Sequence, residues 1–122
     1  MYWDGDPLQE ILDQNYIAKW DWLTSTESVL MTAEGCVANN GTKATPVLCA
    51  DILGDWREEV IWRTDDDSEL RIYVSPIPTS FRFPWLMLDR QYRESVAWQN
   101  VGYNQPPHGS SWLLGKVVTN AD

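Results

Sequence analysis

The sequence is poor in basic side chains and has no long apolar run. Nine Lys and Arg stand against 18 Asp and Glu in 122 residues, for a formal net charge of −9. Partners gripped through phosphates reward clustered cations, so nucleic acid and anionic membrane surfaces are set aside as partner classes. No apolar stretch approaches the roughly 18 residues of a membrane-spanning helix, and Met1 leads at once into Tyr2-Trp3-Asp4-Gly5-Asp6 with no hydrophobic leader. Cysteine is scarce as well. Cys36 and Cys49 make neither a disulfide scaffold nor a zinc signature, and whether they pair across their short loop stays open. The one histidine, His108, follows two prolines; its pKa range suits a general base, but without a recognisable partner a structural or solvated ring is the plainer reading.

What is present suits one β-rich unit. Hydrophobic residues make up 43% of the chain, enough for a modest core, and there are eight tryptophans, most of them expected inside, with one or two left to touch a ligand. The stretch Trp3-Asp4-Gly5-Asp6-Pro7-Leu8-Gln9-Glu10-Ile11-Leu12 returns as Ile52-Leu53-Gly54-Asp55-Trp56-Arg57-Glu58-Glu59-Val60-Ile61, with Gly5 and Gly54 49 positions apart. That period matches the roughly 40 to 50 residues of a propeller blade, so the chain holds about two units. Each copy runs into a strand, a polar turn and a second strand: 10–12, 13–15 and 16–22 in the first unit, 59–63, 64–68 and 69–75 in the second. Leu70, Ile72 and Val74 alternate with Glu69, Arg71 and Tyr73, which predicts that the aliphatic trio faces the core. Two prolines make 75–80 an extended connector. Asp89 is placed to cap a helix over 89–101 that ends at Gly102, and Trp112-Leu113-Leu114 reads as a closing strand.

Two stretches carry possible chemistry. Asp51-x-x-Gly54-Asp55-x-x-x-Glu59 has spaced carboxylates around a turn glycine, the pattern of a Ca²⁺ loop, although Leu53 stands where a third Asp belongs and Tyr2 replaces Asp51 in the first copy. Its plainer alternative is a turn held by Asx bonds. In Asn39-Asn40-Gly41-Thr42-Lys43 the default reading is a hairpin turn, while Lys43 beside amide and hydroxyl groups offers a point charge for a uronate carboxylate.

The segments Ala50-Asp51-Ile52-Leu53-Gly54-Asp55-Trp56-Arg57-Glu58-Glu59-Val60-Ile61-Trp62-Arg63 and Leu70-Arg71-Ile72-Tyr73-Val74-Ser75 resemble family 11 rhamnogalacturonan lyases. The likeness continues through Asp89-Arg90-Gln91-Tyr92-Arg93, Val96-Ala97-Trp98-Gln99-Asn100-Val101 and Tyr103-Asn104-Gln105-Pro106-Pro107-His108, and fades thereafter. It implies an all-β chain built of about two blades of an eight-bladed β-propeller with one short helix near 89–101, forming the C-terminal part of a Ca²⁺-dependent enzyme. That enzyme would cleave the rhamnogalacturonan I backbone of pectin by β-elimination. Carried over by residue, Asn40, Gly41 and Thr42 would bind substrate, Lys43 would sit at the catalytic centre, and Tyr103 would stack on a sugar ring or bind its hydroxyls. Asp51, Asp55, Glu59 and Asn104 would belong to Ca²⁺ sites.

Family enzymes are several times longer, and two blades cannot close a propeller, so the segment 1–122 is expected to be incomplete as a domain. Its missing leader suits an internal or C-terminal piece of a secreted or cell-surface parent. An apolar face and strand edges should stay open, to be covered by the missing blades or by self-association, and activity of the isolated chain is not expected. The alternatives are a non-catalytic carbohydrate-binding module and a structural relic of a truncated gene.

Overall fold

A computed structural model describes residues 1–101, 105–116 and 118–119. The chain is mostly sheet. Strands β1 (Ile11–Asp13), β2 (Tyr16–Asp21) and β3 (Thr26–Thr32) form an antiparallel meander with Ile11 opposite Ala18 and Tyr16 opposite Thr32. Asp13 Oδ1 accepts from the Gln14 N–H at 2.9 Å in the tight β1–β2 turn, where Gln14 takes a left-handed φ of 48°. Asp21 likewise holds the next turn by accepting from Leu23 and Thr24.

The second sheet is centred on β6 (Glu59–Thr64), paired along one edge with β7 (Leu70–Tyr73). Its other edge is shared by β4 (Cys36–Val37) and β5 (Leu48–Ala50), which pair with opposite halves of β6. These two are one strand position interrupted by a loop over 38–47. Asn40-Gly41 therefore lies in an excursion between collinear strands, and the expected hairpin turn is corrected. A small third sheet pairs β8 (Phe81–Arg82) with β9 (Val118–Thr119).

The two units share more than sequence. Met1 exchanges backbone hydrogen bonds with Glu10 at 2.7 and 3.0 Å, as Ala50 pairs with Glu59 one repeat later. Between the two main sheets lies a core of Met1, Trp3, Ile17, Ala33, Cys36, Cys49, Val60 and Trp62. Trp62 is fully buried, donates from Nε1 to the Gln14 carbonyl at 2.8 Å and meets Tyr73 edge-on at 5.4 Å. Both thiols are free and buried.

A second core gathers Tyr2, Trp56, Phe83, Leu86, Tyr92 and Leu113 under helix α1 (Arg90–Trp98). Asp89 caps that helix as expected, accepting from Gln91 at 3.0 Å and also from the Ser110 N–H at 2.5 Å. Gly102 lies outside the described residues. Ser111–Leu114 forms a short helix, α2, where a closing strand was expected, and it turns Leu113 into the second core.

Two expectations about burial fail. Leu70 and Ile72 are 63% and 61% exposed, and Val74 is exposed too, while Tyr73 packs on Trp62. Ile72 stands opposite Ile61, on the face of β6 that points away from the first sheet. That face carries Ile61, Leu70 and Ile72 beside Arg63, and no described element covers it. Only Trp3, Trp56 and Trp62 are core tryptophans; Trp20, Trp22, Trp85, Trp98 and Trp112 are exposed. Among the described residues the three sheets are open, and none closes into a ring.

Burial opposes ionisation of Asp89, but hydrogen bonds from Ser110 and Gln91 hold its carboxyl below the usual range. A depressed folded pKa gives stability that is present above the unfolded value and lost as pH falls through the folded one. Asp89→Ala should cost about 1–2 kcal/mol at neutral pH. Urea unfolding should show its gap from the wild type closing as pH drops through and below the ordinary carboxylate range.

Candidate functional site

Each repeat begins with a loop threaded by backbone N–H groups that need acceptors, and a glutamate supplies them. In the first unit Glu10 Oε2 accepts from Trp3 at 2.6 Å and Asp4 at 3.3 Å. In the second, Glu59 Oε2 accepts from Ile52 at 2.8 Å and Leu53 at 2.9 Å, one period on. Gly5 and Gly54 take left-handed φ values of 92° and 80°, which explains glycine at both. Asx- and Glu-type hydrogen bonds brace both loops.

Their electrostatics differ. In the first loop Asp4, Asp6 and Glu10 bring carboxylate oxygens within 4.8 Å of one another. The Lys19 ammonium contacts all three, at 3.0, 2.9 and 2.6 Å. Burial lifts the Glu10 carboxyl against the pull of Lys19. Burial also disfavours charge on Lys19, but hydrogen bonds to Glu10, Asp6 and Asp4 outweigh it and raise the ammonium above the ordinary lysine range. This loop contains its own cation, so its oxygens do not fit a Ca²⁺ ion while Lys19 is in place. Through the strand registers, Val74 occupies the position of Lys19 in the second unit, and Leu53 that of Asp4. Carboxylate and cation are lost together.

The expected second-loop ligands are separately engaged. Buried Asp51 accepts from Gly54 through Oδ1 at 2.8 Å and from Leu86 through Oδ2 at 2.9 Å. Burial raises its carboxyl, with those N–H groups opposing. Asp55 pairs with Arg57 at 2.7 Å near the surface. Burial raises the Glu59 carboxyl as well. Among the described residues Asp51, Asp55 and Glu59 do not form a three-carboxylate group within 4.8 Å. The fourth expected ligand, Asn104, and the expected sugar-binding Tyr103 lie outside the described residues.

The loop over 38–47 is held from two sides. Asn40 Oδ1 accepts from the Lys43 N–H at 2.7 Å and its Nδ2 donates to Thr45 Oγ1 at 3.2 Å, so Asn40 shapes the turn that presents Gly41, Thr42 and Lys43 at the surface. From the end of α1, Gln99 pairs its amide with both backbone groups of Cys49, at 2.8 and 2.7 Å. Asn100 contacts Asn39 at 2.6 Å and the Val47 carbonyl. Gln99 and Asn100 had no assigned role in the sequence reading; two amides closing a helix were the available signal. A cavity of about 470 Å³ opens between this loop and the β1–β2 turn. His108 is exposed and shares a hydrogen bond with Ser95 at 3.2 Å.

Lys19→Met would leave Glu10, whose side chain is fully inaccessible, with neighbouring carboxylates and no cation. The expected loss is about 3 kcal/mol, since a buried charge stripped of its partner is costly. Millimolar Ca²⁺ should restore part of the melting temperature in the variant by more than it shifts the wild type. A variant that melts like the wild type in EDTA would remove Lys19 from this role.

The family model described as "Rhamnogalacturonan lyase family 11, C-terminal domain" matches residues 1–122. The chain is 58% identical over 113 residues to rhamnogalacturonan endolyase YesW of Bacillus subtilis (strain 168), covering 93% of this chain and 18% of that protein. It is 47% identical over 121 residues to rhamnogalacturonan exolyase YesX of the same organism, covering 93% and 20%. It superimposes on a solved rhamnogalacturonan lyase of Bacillus licheniformis with a TM-score of 0.85 at 61% identity, over 88% of this chain and 18% of that one. The chain spans about a fifth of the length of these relatives. With the family model matched throughout, the chain belongs to rhamnogalacturonan lyase family 11 and corresponds to its C-terminal domain.

Proposed function

We propose that residues 1–122 supply the Asn40–Lys43 loop to the active site of a rhamnogalacturonan lyase completed by other segments. One observation carries this reading: a strand of the second sheet is broken to project Lys43 on a loop anchored at both ends, by Asn40 and by the amides of Gln99 and Asn100. An ordinary sheet gains nothing from such a break, whereas a positioned cation requires a braced loop.

The chemistry suits the residue types. β-Elimination at a galacturonate removes the proton α to the carboxyl, transfers it to a base and expels the sugar oxygen, which is protonated as it leaves. The new C=C bond takes the electron pair of the broken C–H bond. Negative charge grows on the carboxyl group meanwhile, and a lysine ammonium placed there stabilises it. Asn40, Gly41 and Thr42 would bind sugar hydroxyls or the carboxylate, with Tyr103 against a ring.

Calcium belongs to the proposal for the whole enzyme, where it would neutralise the same charge or stiffen loops. Its expected ligands Asp51 and Glu59 already serve backbone N–H groups, so binding at the second loop needs Asp55 to leave Arg57 and Asn104 to contribute. The sheets are read as consecutive blades of an eight-bladed propeller, supported by the second sheet's apolar outer face, and the parent is read as secreted or surface-bound because its polymeric substrate lies outside the cell. Five exposed tryptophans favour one alternative, a carbohydrate-binding module.

The test is a chimera in which this chain replaces the matching segment of YesW, incubated with rhamnogalacturonan I while the ultraviolet absorbance of unsaturated uronate is followed. The chimera should generate product and Lys43→Ala should slow it by about 10²–10³-fold, the usual cost of removing one charge-stabilising group. Equal rates would sink the role of Lys43; binding without product would favour the module.

A further inference from the structure

We infer that helix α1 and the two residues that end it stand in for an edge strand beside β5, and that Gln99 is a positioning residue for Lys43. This rests on the lyase reading of the loop over 38–47 and adds to it the group that fixes where that loop rejoins the sheet.

Among the described residues β5 has a strand partner on one side only, with Cys49 opposite Val60 of β6. Its other side presents the N–H and carbonyl of Cys49, the carbonyl of Val47 and the N–H of Asp51. One helix and its end meet all four. The Tyr92 hydroxyl accepts from Asp51 at 3.0 Å, and Asn100 donates to the Val47 carbonyl. Gln99 makes two bonds to one residue: Oε1 accepts from the Cys49 N–H at 2.8 Å and Nε2 donates to the Cys49 carbonyl at 2.7 Å. A residue on an antiparallel neighbour makes the same exchange. Cys49 is fully buried and Gln99 is 8% exposed, so these backbone groups depend on the amide rather than on solvent. A helix laid along a strand shields its edge. Here it also reaches the neck of the loop that carries Lys43.

That neck is clamped from both sides. Asn100, at a left-handed φ of 62°, contacts Asn39 on the way into the loop at 2.6 Å and Val47 on the way out. The Asn39 N–H donates to the Thr45 carbonyl at 2.7 Å, which closes the neck, and Asn40 accepts from the Lys43 N–H inside it. The tip therefore moves as one unit with the chain at Val47 and Cys49. Gln99 touches no sugar in this reading; it acts on Lys43 through the backbone of β5.

The experiment measures kcat and KM in the YesW chimera carrying Gln99→Met or Gln99→Glu, each divided by the unsubstituted chimera at the same pH. Gln99→Met fills the space and loses both bonds. Its kcat should fall by up to about 10²-fold, the cost of a misplaced reacting group, with KM changed far less. Gln99→Glu should be as slow at neutral pH, where an ionised carboxylate faces the Cys49 carbonyl with no hydrogen to donate. A protonated carboxyl accepts and donates as the amide does, and burial favours that form, so the kcat ratio of this variant should recover as pH falls. The ionisable neighbours of Cys49 are Tyr92, Glu58, Glu59 and the Met1 ammonium; both variants share them, so their titration cancels between the two. Gln99→Met should stay slow at every pH. If Gln99 acts through Lys43, adding Gln99→Met to Lys43→Ala should slow turnover no further. The positioning role is overturned if Gln99→Met keeps the full kcat, if the Gln99→Glu ratio is flat with pH, or if the two losses multiply. Lys43→Ala alone at full rate defeats the lyase reading itself, and a slow Lys43→Ala beside any of those three results defeats only the role of Gln99.

Discussion

A buried carboxylate organises the meeting point of the chain's three parts. Glu58 is fully enclosed, yet one oxygen accepts from the Tyr2 N–H and the other from the Tyr92 hydroxyl, each at 2.7 Å. Tyr92 in turn accepts from the Asp51 N–H at 3.0 Å. First loop, second loop and helix α1 are thereby joined by one acid and one phenol. Burial raises the carboxyl of Glu58, and burial with the Glu58 charge beside it raises the Tyr92 hydroxyl, which keeps its proton and donates it. An acid in this setting is tolerable only when each lone pair is met. Helix α1 is consequently held in one position, and its terminal Gln99 and Asn100 can reach β5 and the loop over 38–47. The candidate active loop depends, through the helix, on a residue far from any sugar.

The two repeats show what such a loop must keep and what it can exchange. The glutamate acceptor and the turn glycine are present in both, because backbone N–H groups need partners whatever the side chains are. The aspartate at position 4 and the lysine at position 19 are exchanged as a pair for leucine and valine. Losing the lysine alone would leave Asp4 without its cation, whereas losing Asp4 alone would still leave Lys19 paired with Asp6 and Glu10.

Much of the fold was legible because its signals are local. The β6–β7 hairpin, the extended 75–80 segment and the Asp89 cap follow from turn residues, prolines and an N-cap aspartate. The repeat period located both loops. The loop over 38–47 was misread because Asn-Gly has a strong hairpin preference, and only the long-range register of β4 and β5 on β6 reveals a strand interruption. Trp112 to Leu114 could be strand or helix by composition, and the second core decided for helix. The role of Lys19 escaped because its three partners are 9 to 15 positions earlier, beyond any local motif. The site itself was legible as residue types on one loop, whereas Gln99 and Asn100, brought against it by helix α1, were not.

The reading of Leu70, Ile72 and Val74 as core-facing failed in an informative way. Alternation identifies which residues share a face but not which face is covered. In β6 both faces carry apolar groups: Val60 and Trp62 pack on the first sheet, while Ile61 stands with Ile72 on the far side. Strands covered on one face only read as apolar alternating with polar, and strands covered on both read as nearly continuous apolar runs. Val60-Ile61-Trp62 is such a run. The sequence of β6 is therefore suited to a sheet sandwiched between two neighbours, one of which is the first sheet. The outer face of Leu70 and Ile72 is where the proposed next blade would pack, and the same contact would cover the apolar surface that the chain by itself leaves open.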